Sequence, residues 1–208
     1  MTKNLTFARL TLALLALMVV PATVRGADFE ITPFVGYTMG GELRDPPSGA
    51  INDIDEQGAY AIALDINQTS DSQIELYYSR QQTRLKGGGG LFAGNPLFDL
   101  DIEYFHLGGT YGTGDGPVKP FVVGTIGATH FDPKEERLDS ETKLSLSLGG
   151  GLKFRVTDRT GLRVEGRWFG TFFNGVREVF CADGSCRINV DGNVSSQVVV
   201  NAGLVIAF

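Results

Sequence analysis

Val194-Ser-Ser-Gln-Val-Val-Val-Asn-Ala-Gly-Leu-Val-Ile-Ala-Phe208 closes the chain. Successive side chains of a strand point to opposite sides. Val198, Val200, Ala202, Leu204, Ile206 and Phe208 therefore share one face, and Gln197, Asn201 and Gly203 share the other. A terminal strand with one lipid-compatible face predicts a transmembrane β-barrel whose other strands lie upstream.

Seven more period-2 segments do lie upstream, separated by turn signals. Phe29–Met39 carries Phe29, Ile31, Val35 and Tyr37 on one face, and Gly58–Gln68 carries Tyr60, Ile62, Leu64 and Ile66. Ser72–Thr83 carries Ile74, Leu76 and Tyr78, and Leu100–Tyr111 carries Leu100, Ile102 and Tyr104. Val118–Phe131 is strand-like with neither face marked. Thr142–Val156 carries Leu144, Leu146, Leu148, Leu152 and Phe154, and Gly161–Asn174 carries Leu162, Val164, Trp168 and Phe172. The expected fold is an all-β, eight-stranded, antiparallel up-and-down transmembrane β-barrel.

A water-soluble, lipocalin-like barrel also alternates, with its apolar face inward. The connections separate the two readings. Those after strands two, four and six are short: Thr69-Ser70-Asp71, Gly112 to Pro117, and Thr157-Asp158-Arg159-Thr160. Those after strands one, three, five and seven are long and polar or glycine-rich, such as Gly40 to Gln57 and Phe173 to Asn193. All long loops then emerge at one end, as expected of short periplasmic turns and long extracellular loops.

The N-terminus fits export. Lys3 and Arg9 precede the apolar run Leu10 to Val20, and small residues follow around Ala22 to Ala27. The run is shorter than the roughly 20 residues of a helical span. It reads as a signal peptide over residues 1–26, cut after Gly26, with residues 27–208 as an outer-membrane β-barrel domain. A retained anchor is the alternative. Without the leader, 15 basic residues face 24 acidic ones, a net charge of −9 that argues against nucleic acid. Cys181 and Cys186, in an exported chain, are expected to form a disulfide worth about 2 kcal/mol for so short a loop. A metal pair is the weaker reading, since no histidine lies nearby.

If the bulky faces meet lipid, the opposite phase lines the lumen. Early strands contribute Glu30, Asp65, Glu75, Asp101 and Glu103; later ones contribute Lys153, Arg155, Arg163, Glu165 and Arg167. In an eight-strand closure the sixth strand faces the second and the seventh faces the third, so an acidic wall looks across at a basic one. Such an interior is just wide enough to be filled by side chains, and buried charge is tolerable only when paired. The expectation is an ion-pair network plugging the lumen; a narrow wet channel is the alternative. Tyr37, Tyr60, Phe98, Phe131, Phe172 and Phe173 at one end, with Tyr111 and Phe208 at the other, suit interfacial girdles. His106 falls on the nominal lipid phase of its strand, which this reading leaves unexplained.

Taken together, these features resemble the small eight-stranded outer-membrane proteins of the OmpA transmembrane-domain, OmpX and OmpW type, over Asp28 to Phe208. The resemblance implies that Phe208 belongs to a signal read by the barrel-assembly machinery. The charged lumen is more similar to OmpA or OmpX than to the apolar channel of OmpW. Some barrels of this size modify lipid A, and a deacylase would need a His-x-Ser pair. His106-Leu107-Gly108 and His130-Phe131-Asp132 do not match it. A Ser-His-acid site assembled from distant residues, for example His130, Asp132 and Ser140 near one rim, is a further combination that nothing in the sequence favours.

Gly87 to Gly90 lacks the Lys-Ser/Thr of a phosphate loop and reads as a surface loop. Asp53, Asp55 and Glu56 lack EF-hand spacing and read as a solvated acidic loop. The expectation is therefore a monomeric, non-enzymatic outer-membrane protein with no cofactor and no metal. Its partners would be outer-membrane lipid, lipopolysaccharide and the assembly machinery. A narrow channel or carrier for small molecules is the competing function.

Overall fold

Twelve strands lie among the residues that the computed structural model describes: 29–40, 42–44, 51–54, 56–86, 96–114, 116–134, 139–173, 177–182, 185–190 and 194–208. Eight of them are long: β1 (Phe29–Met39), β4 (Gln57–Asn67), β5 (Ser72–Lys86), β6 (Pro96–Gly112), β7 (Val118–Pro133), β8 (Glu141–Arg155), β9 (Thr160–Phe172) and β12 (Val194–Ala207). Each pairs antiparallel with the next, β5 with β6 included, and β1 pairs with β12. The ladder therefore closes on itself as an eight-stranded up-and-down barrel, and no helix occurs among the described residues. Strands of 11 to 17 residues meet or exceed the roughly 9–11 that a tilted strand needs to cross a bilayer.

The four short strands decorate the long connections. β2 (Glu42–Arg44) and β3 (Ile51–Ile54) extend the sheet beside β5, while β10 (Arg177–Ala182) and β11 (Ser185–Val190) pair only with each other. The sequence reading missed all four. β10 and β11 place Cys181 directly opposite Cys186, but those side chains, and hence the expected disulfide, lie outside the described ones. So do the expected leader, Asp55, Gly87 to Gly90, and the side chains of Asp53 and Phe98.

Two of the short turns use one device. Thr69 Oγ1 accepts from the backbone N–H of Asp71 and Ser72, and Thr157 Oγ1 accepts likewise from Arg159 and Thr160. At the same end the barrel seam is sealed where Phe208 N donates to Phe29 O at 3.0 Å and their rings stack at 5.0 Å.

Orientation follows from exposure. Val122, Ile126, Leu144 and Leu148 are 58–61 % exposed on the outer wall. Arg163, Glu165 and Arg167 on β9 are at most 1 % exposed inside. Apolar outside and charged inside is the inverse of a soluble barrel and fits a bilayer-spanning one.

One strand reverses the expected phase. On β6, Leu100, Ile102 and Tyr104 are buried inside and Phe105, Leu107 and Tyr111 face out. Asp101 and Glu103 accordingly lie on the outer wall, not in the lumen. Both phases of this strand carry bulky apolar residues, so size alone did not decide its orientation. The same reversal puts His106 in the lumen and removes the anomaly it posed. Phe131 and Phe173 also point inward, against each other at 6.0 Å, and do not join a girdle.

Candidate functional site: the lumen and the outer wall

At the short-turn end, Lys153 Nζ donates to Glu30 Oε2 at 2.7 Å and to Gln73 Oε1 at 2.6 Å, with Asp65 at 3.8 Å. Above it, Arg163 of β9 reaches across the barrel. Its Nη1 donates to Asp65 Oδ2 at 2.9 Å, its Nη2 to Glu75 Oε2 at 2.6 Å, and its Nε to Glu165 Oε2 at 2.8 Å. Arg167 Nη1 donates to the other oxygen of Glu75 at 2.9 Å, and its Nε to Glu165 Oε1 at 3.0 Å. The two guanidiniums thus share Glu75 and Glu165, and the planar forks use both oxygens of each carboxylate. Phe121 and Tyr77 cover the cations, their ring centroids 4.5 Å from Arg163 Cζ and 4.0 Å from Arg167 Cζ.

Local sequence makes room for this cluster. Gly149 and Gly151 on β8 sit beside Arg167 and Glu165. A Cβ at Gly149 would lie 2.5 Å from Gly166 O, and one at Gly151 would strike Val164 O and Glu165. The glycines let β8 and β9 approach where β9 carries its largest side chains.

The structure thus brings together Glu30, Asp65, Glu75, Lys153, Arg163, Glu165 and Arg167. It does not bring in the other three residues. Arg155 has the lumen phase but sits exposed at the mouth, beyond the last lumen-facing carboxylate. Asp101 and Glu103 face outward, where Arg80 lies 2.5 Å from Asp101 and 3.6 Å from Glu103. Lys134 joins them, 2.9 Å from Asp101 and 2.7 Å from Asp132, and those bonds hold its ammonium above the ordinary lysine value.

Toward the other end the lumen turns aromatic and amidic. Asn201 Nδ2 donates to Tyr77 OH and Glu165 Oε1, both at 3.2 Å. The Tyr104 and Phe169 rings lie 4.2 Å apart, and Tyr104 OH and Gln81 Nε2 both donate to Gln197 Oε1. His106 lies edge-on to Phe169, its ring nitrogens each 2.9 Å from a hydroxyl, Thr125 and Ser145. Sequence reasoning missed this layer. Its signal was the polar phase of the last strand, where Gln197 and Asn201 alternate with valines. His130 Nδ1 lies 2.9 Å from Thr142 Oγ1, while Asp132 pairs with Lys134.

No family profile matches the sequence, and no curated protein is significantly similar to it. Solved structures do match: they are small eight-stranded outer-membrane barrels. Neisserial surface protein A superposes with a TM-score of 0.59 at 15 % identity, covering 89 % of this chain and 100 % of that one. OprG from Pseudomonas aeruginosa gives 0.55 at 14 % identity, covering 88 % and 97 %. The outer membrane protein AlkL, solved in lipid bilayers, gives 0.56 at 13 % identity, covering 91 % and 94 %. At these identities the likeness is one of fold: the chain is a transmembrane β-barrel of this architecture.

Proposed function

We propose that this chain is an integral outer-membrane protein, exported and freed of its leader, whose lumen is sealed and whose long connections meet the outside. The observation that carries this reading is the cluster of Asp65, Glu75, Arg163, Glu165 and Arg167, joined across the barrel by hydrogen bonds of 2.6–3.0 Å. Tyr104 and Phe169 above it, their rings 4.2 Å apart and tilted by 32°, support a second closure. Buried ions paired this closely hold their partners in place, and breaking one pair strands charge in a low-dielectric interior. The reading makes the protein a monomeric contributor to envelope integrity or surface interaction, with Phe208 serving the assembly machinery and lipid and lipopolysaccharide around it.

A non-enzymatic role fits the surroundings of both histidines. His106 faces hydroxyls deep in the lumen, and His130 faces Thr142, so among the described residues neither histidine has a hydrogen bond to a carboxylate as a catalytic base would. Planar-bilayer recording of the refolded protein tests the sealed lumen. The expected trace has no conductance steps; regular steps in the wild type would favour the narrow-channel function instead.

A further inference from the structure

The apolar outer wall is uneven in height. On β9 its outward run extends from Leu162 to Phe172, and on β7 from Val118 to Ala128. On β5 it stops at Tyr78, and Arg80, Gln82 and Arg84 continue the same outward phase toward the long-connection end. Asp99, Asp101 and Glu103 take that phase on neighbouring β6. Here the wall holds a groove of about 840 Å³, lined by Tyr60, Ile62 and Tyr78 together with Arg80, Arg84 and Lys134, Tyr60 standing directly opposite Arg80.

Location limits the occupant. A groove in the outer wall of a bilayer-spanning barrel, at the edge of its apolar band, is filled by lipid. Its tyrosine and isoleucine side chains suit acyl chains, and its guanidiniums and ammonium suit phosphate. Asp101, 5 % exposed, lies between Arg80 and Lys134 and positions both. Arg84 Nε lies 3.2 Å from Asp99 Oδ1, and the two side chains, 61 % and 69 % exposed, form a pair that a ligand can reach.

We propose that this groove seats a phosphorylated glycolipid of the outer leaflet. Arg84 and Lys134 meet its phosphate, Tyr60, Ile62 and Tyr78 meet its acyl chains, and Asp99 meets the divalent cation that accompanies the phosphate. The proposal rests on the membrane placement argued above, with the short turns on the periplasmic side.

The test uses the full chain refolded in phosphatidylcholine nanodiscs with magnesium, titrated with diphosphoryl lipid A and with the same lipid stripped of its phosphates. Wild type should prefer the phosphorylated form about tenfold, the worth of one charge-assisted hydrogen bond. Arg84→Ala/Lys134→Ala should lose the preference, and Arg155→Ala/Arg159→Ala, at the opposite mouth, should keep it. The wild-type comparison stands without any variant. Equal binding of both lipids, equally tight binding of phosphatidylglycerol, or the same loss in the Arg155/Arg159 variant would overturn the proposal. Failure of the chain to insert would overturn the membrane placement instead, and a gel-mobility assay of folding distinguishes that outcome.

Discussion

Arg163 touches side chains from four other strands: Phe34 of β1, Asp65 of β4, Glu75 of β5 and Phe121 of β7. Removing it leaves carboxylates buried without their main counter-charge, which costs about 3–5 kcal/mol in comparable buried pairs. Arg163→Ala should lower the unfolding free energy of the refolded barrel in urea by that order. Arg163→Glu should lower it further, and adding Glu75→Arg should restore part of the loss. The restoration is partial because Arg167 also binds Glu75. A double variant no more stable than the single one would contradict the cross-lumen pairing. These residues were legible in the sequence because each charge alternates with bulky apolar neighbours, which leaves it only the hollow to face. Asp101 and Glu103 were misread because they lie above the apolar band, where outward charge is satisfied by Arg80 and Lys134.

At the scale of elements, eight period-2 segments and the alternation of long and short connections were sufficient to place every barrel strand. The phase of β6 was not readable, since Leu100, Ile102 and Tyr104 match Phe105, Leu107 and Tyr111 in bulk. Its true phase is set by packing, with Tyr104 seated against Phe169 and bonded to Gln197. The short strands were invisible for a different reason: runs of three to six residues in polar loops show too little alternation to register. β10 and β11 form a sheet of their own. Excising residues 177–190 should therefore leave the barrel folded, with its urea transition shifted by no more than about 0.5 kcal/mol, as for surface changes remote from the core. Loss of the compact band on an unheated gel would show that the hairpin supports the barrel.

For the whole molecule, everything turns on which way the two faces of the sheet point. The outer wall is apolar, aliphatic and aromatic together, the interior is largely ionic and polar, and no other solvent than hydrocarbon makes that arrangement favourable over so large an area. The protein carries its own reporter. Trp168 is its one tryptophan and sits in the outward phase of β9, between the inward Arg167 and Phe169, opposite Val198 and Leu148. In vesicles of chain-brominated lipid its fluorescence should be strongly quenched, while aqueous iodide should leave it nearly unchanged. Quenching by iodide with no response to bromolipid would place Trp168 in water and contradict the account.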